Sequence, residues 1–272
     1  MIPTRAQNPN LPVSPEEIAI DARQCRDAGA SMVHLHARDE DGRPTHRAEV
    51  YREIVAGVRA ECPDLVIVVS TSGRVEPDFE PRAEVLDLDG PAKPDMASLT
   101  LGSMNFPHQA SINEPATIGR LAEAMRERGI VPELEAFDFG MVDYAKYLIE
   151  RGILREPFYF NLILGSLGSL SATPLHLASL AESLPAQATW AAAGIGRYQL
   201  FVNSMAIAMG GHVRVGLEDN LFLDPEKQRP ASNEALVRRL VEIARACERE
   251  IASPEQARAQ IGLEPVPVGQ DR

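Results

Sequence analysis

With 272 residues, 44% of them hydrophobic and 24% charged, the chain has the composition of an ordinary globular protein able to bury a large core. A formal net charge of −12 speaks against a nucleic-acid surface, which needs clustered Lys and Arg, although a local arginine can still hold an anionic substrate. There is no apolar run of about 18 residues to suggest a membrane span, and Met1-Ile2-Pro3-Thr4-Arg5 is no signal peptide. Cys25, Cys62 and Cys247 are odd in number and lack CxxC spacing, so they read as reduced thiols in a cytoplasmic protein.

Taken in order, the chain alternates helix and strand patterns. Ser14-Pro15-Glu16-Glu17 supplies an N-cap, a proline at the first helical position and two acids in the first turn. That helix runs to about Ala28, Gly29 stops it, and a strand follows through Val33-His34-Leu35-His36. A helix from about Ala48 to Glu61 leads into Leu65-Val66-Ile67-Val68-Val69-Ser70, an apolar run suited to a parallel strand buried on both faces. A weaker strand is expected at Asp95-Met96-Ala97-Ser98-Leu99, after a short helical turn beyond Pro81. Helix 115–128 precedes strand 131–136, helix 140–151 precedes strand 157–164, and helix 174–183 precedes strand 187–193. Helix 198–209 precedes strand 212–217, a long helix is expected at about 232–250, and Ser253-Pro254-Glu255-Gln256 caps a last short one.

Seven strands separated by helices, with no low-complexity linker, argue a parallel sheet in a single domain over residues 1–272. At this length a (β/α)8 TIM barrel is favoured over an open doubly wound sheet, with the first strand missing because residues 1–13 carry no strand pattern. In such a barrel the chemistry sits at the C-terminal strand ends.

His34 and His36 project to one face of their strand, as Glu133 and Glu135 do on theirs. The other strand ends carry Ser70-Thr71-Ser72-Gly73, Ser98 to Phe106, Gly194-Ile195-Gly196-Arg197 and Arg214 to Asn220. Each has a plainer reading as packed histidines, helix caps or loop, and the Gly-Ile-Gly-Arg turn lacks the rest of a dinucleotide fingerprint. Together, two histidines and a glutamate supply three protein ligands and leave an open metal position for catalysis.

Asn10-Leu11-Pro12-Val13-Ser14-Pro15-Glu16-Glu17, His34-Leu35-His36-Ala37-Arg38-Asp39 with Asp41-Gly42-Arg43-Pro44, and Ser70-Thr71-Ser72-Gly73 form a distinctive combination. With Ser103-Met104-Asn105-Phe106, Pro132-Glu133-Leu134-Glu135, Ala193 to Arg197 and Gly211 to Asn220, the chain resembles the β-keto acid cleavage enzymes over residues 8–262. The resemblance implies a zinc-dependent barrel, usually a homotetramer, that exchanges a β-keto acid with acetyl-CoA to give acetoacetate and a new CoA thioester. Carried over by position, His34, His36 and Glu218 are the implied zinc ligands. Ser70, Gly73 and Ser98 match substrate-contacting positions, the last usually a threonine, and Glu135, Arg214 and Asp219 match the polar cluster around the reacting carbon. Arg214 and Glu218 are expected on one strand face with Gly216 between them, and Asp219 is expected to stay ionised as the base. In the family a further strand precedes the Asn8-Pro9-Asn10-Leu11-Pro12 segment and ends in a substrate-contacting glutamate. Met1 falls after it, so the sequence upstream of Met1 is expected to encode that strand.

Two other classes fit parts of the pattern. A zinc hydrolase of the amidohydrolase kind also carries HxH on its first strand, but it needs later histidines. His46, His108, His176 and His212 do not stand at the ends of the fourth to sixth strands. A non-catalytic metal-binding remnant is the third reading.

Overall fold

The computed structural model describes residues 3–107 and 109–266; Met1 and His108 lie outside them. Helix α1 (Pro15–Ala28) starts in a capping box, with the Ser14 hydroxyl accepting from Glu17 N and the Glu17 carboxylate accepting from Ser14 N. It ends at Gly29, whose φ of +118° turns the chain into strand β1 (Met32–Leu35). The alternation then continues through α2 (Ala48–Glu61), β2 (Val66–Val69), α3 (Phe79–Ala83), β3 (Met96–Thr100), α4 (Pro115–Glu127) and β4 (Val131–Ala136). After these come α5 (Phe139–Glu150), β5 (Tyr159–Leu164), α6 (Pro174–Glu182), β6 (Thr189–Gly194), α7 (Gln199–Ala208) and β7 (His212–Val213). Helices α8 (Asn233–Ala246) and α9 (Pro254–Gln260) close the described chain.

The strands pair in parallel and in sequence order, forming a seven-stranded sheet among the described residues. This is a (β/α)8 barrel lacking one strand. The pleat sorts side chains between two environments. Ile67 and Val69 of β2 join the large cluster under the helices, whereas Val66 and Val68 pack inside with Met96, Tyr159 and Ala191. Register then aligns the polar inward positions: Ser98 pairs with Glu133, Thr100 with Glu135, and Glu135 with Asn161.

The N-terminal end of the barrel is sealed by charge as well as by apolar packing. Asp95, just before β3, accepts from Arg59 Nη2 (2.8 Å), Ile67 N (2.9 Å) and Arg258 Nη2 (2.8 Å). Burial raises this carboxyl, but the Arg258 and Arg59 contacts outweigh it and hold the pKa below the ordinary value. Ile261, just beyond α9, fills the inner apolar cluster beside it.

Between the two edge strands, β1 and β7, runs a cavity of about 330 Å³. Its walls are Met32 and His34 on one side, Val213 and Val215 on the other, and Ile18 of α1 and Leu240 of α8 behind.

Several boundaries differ from expectation. Strand β7 stops at Val213 instead of 217 because the chain turns: Asp219 N and Asn220 N both donate to Gly216 O (3.1 Å each). The Asn233 amide oxygen takes Leu217 N–H (2.8 Å), which a strand neighbour would otherwise use. Helix α8 ends at Ala246, before Glu248 adopts a φ of +57°. Two short antiparallel pairs, Ala37–Arg38 with Pro44–Thr45 and Met104–Asn105 with Ala110–Ser111, were not expected. The first is why Asp41-Gly42-Arg43-Pro44 follows the histidines: Asp39 Oδ1 accepts from Asp41 N and Arg43 N and folds that hairpin. All three cysteines are free thiols, with Cys25 and Cys62 buried and Cys247 exposed.

Candidate active site

The strand ends converge on one cleft, lined among others by His34, His36, Ser70, Thr100, Glu135, Arg214, Glu218 and Asp219. Three of these come from the loop beyond β7, which the N-terminal segment fastens in place. Asn8, fully buried, donates through Nδ2 to Leu221 O (2.7 Å) and Ala231 O (3.0 Å).

His34 and His36 sit on the same side, with ring centroids 5.0 Å apart. His34 Nδ1 lies 2.7 Å from Glu133 Oε2, and Glu133 Oε1 accepts from Asn161 Nδ2 (3.2 Å). A carboxylate on Nδ1 fixes the tautomer and leaves Nε2 as the ligand atom. Burial pushes the His34 pKa down, but the Glu133 charge and hydrogen bond outweigh it, and the pKa lies above the ordinary value. For His36 burial is the largest influence; it outweighs the nearby Glu218 carboxylate and lowers the pKa to about 3, so this is a neutral imidazole.

His36 Nε2 lies 2.9 Å from Glu218 Oε1, yet this buried nitrogen makes no hydrogen bond among the described residues. The two atoms face common space without bonding each other, which is the geometry of ligands around an ion. Ligand atoms of His34, His36 and Glu218 all lie within 4.8 Å of one another, so this donor set fits a divalent metal. His34, Glu133 and Glu135 form a second cluster of the same size. Their oxygens are already committed to His34, Asn161, Thr100 and Arg214, which favours the first set.

Arg214 is the hub of the remaining charges. Nη1 donates to Glu135 Oε1 (3.2 Å), Nη2 donates to Glu218 Oε2 (2.6 Å), and Nε stands 3.4 Å from Asp219 Oδ2. The contact with Glu218 holds although the strand has ended, because the turn at Gly216 brings the two side chains back together. Asp219 differs from its neighbours. Burial is the largest influence and lifts its carboxyl to about 6, against the pull of Arg214. It is therefore ionised at neutral pH but closer to protonation than a simple arginine pair implies. Its buried Oδ2 makes no hydrogen bond among the described residues, which leaves a lone pair to take a proton.

The wall after β2 is a rigid turn. Arg82, fully buried, donates to Thr71 O (2.7 Å) and Asn113 Oδ1 (2.8 Å). Gly73 is required there because an added Cβ would sit 2.2 Å from Ile112 O. Ser70 lines the cleft, and the Ser98 hydroxyl accepts from Thr71 N (3.1 Å). Thr100, one inward position further along β3, reaches the cleft and donates to Glu135 Oε2 (2.7 Å). Arg197 of the Gly-Ile-Gly-Arg turn is exposed and bonded to the Tyr198 hydroxyl. Sequence reasoning passed over Asn161 and Arg74; a lone asparagine within Tyr159-Phe160-Asn161-Leu162-Ile163-Leu164 was the available signal for the first.

A barrel with an acid-rich, metal-competent cleft at its C-terminal strand ends has the architecture of an enzyme. The chain belongs to the beta-keto acid cleavage enzyme family, which it matches over residues 1–263, and is thereby a carbon–carbon-cleaving acyltransferase. It is 40% identical over 261 residues to the 3-keto-5-aminohexanoate cleavage enzyme of Fusobacterium nucleatum, covering 96% of this chain and 93% of that one. It is 35% identical over 265 residues to the 3-oxoadipate:acetyl-CoA acetyltransferase of Cupriavidus necator, covering 96% of this chain and 91% of the relative. Among solved structures, apo ObcA shares the fold with a TM-score of 0.84 at 23% identity. The match covers 94% of this chain and 66% of ObcA, so this chain spans just under two thirds of that protein.

Proposed function

We propose that this protein is a zinc-dependent enzyme that condenses a β-keto acid with acetyl-CoA and cleaves a carbon–carbon bond, giving acetoacetate and a new acyl-CoA. The observation that carries the reading is the pair formed by His36 Nε2 and Glu218 Oε1, facing each other without a hydrogen bond, beside the unbonded oxygen of Asp219. His34, His36 and Glu218 would hold the zinc, which supplies Lewis acidity toward the keto and carboxylate oxygens. Asp219, poised near neutrality, takes the proton from the carbon between the two carbonyl groups. The carbanion attacks the acetyl carbonyl, CoA leaves as the thiolate, and the thiolate then attacks the original keto carbon. Breaking the bond to that carbon gives the acyl-CoA and the acetoacetate carbanion, which takes back the proton held by Asp219, so atoms balance without a further reactant. Arg214 keeps Glu135, Glu218 and Asp219 in place and offsets their mutual repulsion. Ser70 and the Gly73 turn form the wall that orients the substrate carboxylate.

A zinc hydrolase is disfavoured, since among the described residues no histidine stands at the ends of β4, β5 or β6. The homotetramer, the cytoplasmic setting and a single domain over residues 1–272 belong to the same reading. No helix among the described residues is long and apolar enough to cross a membrane. The test is to incubate the enzyme with a panel of β-keto acids and identify the products by mass spectrometry, with and without acetyl-CoA. Acetoacetate must appear only with acetyl-CoA, and zinc and activity must be lost together in His34→Ala, His36→Ala and Glu218→Ala. Full zinc in all three variants would overturn the ligand assignment; turnover without acetyl-CoA would overturn the reaction.

A further inference from the structure

The cleft that holds the carboxylates is also lined by a cation with no ion pair among the described residues. Arg74 follows Gly73 in the turn after β2, and its guanidinium carbon lies 3.6 Å from the centroid of the Phe106 ring. Phe106 is held edge-on against Phe137, with centroids 5.9 Å apart at 89°. All three line the cleft together with Ser72. The backbone beneath is fixed: Arg74 N donates to Ser72 Oγ (3.3 Å), and Gln109 Nε2 donates to Arg74 O (2.9 Å). Arg74 Nε is buried and without a hydrogen-bond partner, and the guanidinium forms no ion pair among the described residues. The nearest acid in its own loop, Glu76, accepts instead from Asp78 N.

An arginine stacked on an aromatic ring keeps its donors in one plane, the arrangement that receives a carboxylate in two-pronged fashion. A buried donor with no partner is the kind of group a ligand completes. We propose that Arg74 determines specificity by taking a second, distal carboxylate, so that the substrates of this enzyme are β-keto dicarboxylic acids. The inference rests on the keto acid cleavage reading and places the reacting end at the histidines and Asp219, the distal end at Arg74. A substrate ending in a methyl group leaves the guanidinium unpaired, and one ending in an ammonium group sets like charge against it. The phosphates of CoA offer the same anionic chemistry, and the experiment separates the two sources.

The zinc-loaded full chain and its Arg74→Gln and Arg74→Lys variants are assayed with a six-carbon 3-oxo diacid and a six-carbon 3-oxo monoacid, and the KM for acetyl-CoA is measured separately. The wild type is expected to favour the diacid. Arg74→Gln is expected to lower the diacid-to-monoacid ratio of kcat/KM on the order of 10²-fold, the scale of a hydrogen bond to a charged group, mainly through KM. Arg74→Lys restores only part of the ratio, because lysine lacks the planar fork. A wild-type preference for the monoacid overturns the proposal. So does an unchanged ratio with a raised KM for acetyl-CoA, which assigns the cation to the coenzyme phosphates. Calorimetric titration with adipate and hexanoate needs no turnover. Adipate bound at least about tenfold more tightly by the wild type than by Arg74→Gln upholds Arg74 even where no keto acid is cleaved, a result that would sink the cleavage reading alone. Equal adipate binding sinks Arg74.

Discussion

Glu133→Gln tests whether the carboxylate behind His34 sets up the metal ligand. The change keeps side-chain volume at a buried position in β4 and removes one charge. What is lost is a contact of 2.7 Å between Glu133 Oε2 and His34 Nδ1, a charge-assisted hydrogen bond contributing about 1.5–3 kcal/mol. At about 1.4 kcal/mol per factor of ten, that is roughly 10–150-fold in zinc affinity, close to the range usual for partners behind a metal ligand. The outcome within that range depends on how the new amide turns. With its nitrogen toward His34 it donates to Nδ1, the imidazole proton moves to Nε2, and the ligand atom is blocked. With its oxygen toward His34 the tautomer survives, but the amide nitrogen then faces Asn161. Asn161 can rotate to accept it, since its Oδ1 makes no hydrogen bond among the described residues of the wild type. That route gives the lower end of the range. Zinc affinity is measured by competition with a chromophoric chelator, alongside a thermal melt to establish folding. Affinity within twofold of wild type in a folded variant would refute the reasoning.

Asp95→Ala strands two arginines at the base of the barrel and is expected to cost about 3–5 kcal/mol, read as a lower Tm at roughly 2–4 °C per kcal/mol. Because the folded carboxyl is held below its ordinary value of 3.8, its contribution is full above that pH and lost as pH falls through the lowered value. The gap between wild type and variant therefore stays constant at neutral pH and closes in acid; a gap that widens on acidification contradicts it. Gly73→Ala drives a Cβ against Ile112 O, shifting the Ser70–Ser72 wall, and is expected to lower kcat/KM by about 10²-fold with zinc content unchanged. Asp219→Asn is expected to lower turnover by about 10²–10⁴-fold with normal zinc, and near-wild-type rates would remove it from the mechanism. Arg214→Lys is also expected to be impaired, since one ammonium cannot serve the three carboxylates that Arg214 now contacts; full activity would contradict that.

The periodicities that were legible in the sequence are those enforced by local chemistry. Ser14, Pro15 and Glu17 dictate the start of α1 within one turn, and the doubly buried Val66–Val69 run can hardly be anything but a central strand. The two-residue spacing of His34 and His36 survives because β1 keeps its pleat up to Leu35. Where expectation departed from structure, a contact distant in sequence decided. Strand β7 is cut short by Asn233, and the Ser98 hydroxyl is engaged by Thr71 N, neither of which alternation can reveal. Arg74 reads as an ordinary loop arginine until Phe106 arrives beneath it from another strand end.

The charges around Arg214 impose an order of assembly. Glu133, Glu135, Glu218 and Asp219 set four carboxylates against one guanidinium, and a protonated His34 adds at most one more positive charge. A keto acid would bring yet another carboxylate, and among side chains this buried the repulsion is poorly screened. The same field would favour a divalent cation, whose two charges would bring the cluster close to neutrality. Under the proposed zinc chemistry the ion would come first, turning an acid-rich cluster into one that can receive an anion, and protein stripped of metal would bind the keto acid poorly rather than merely turn it over slowly.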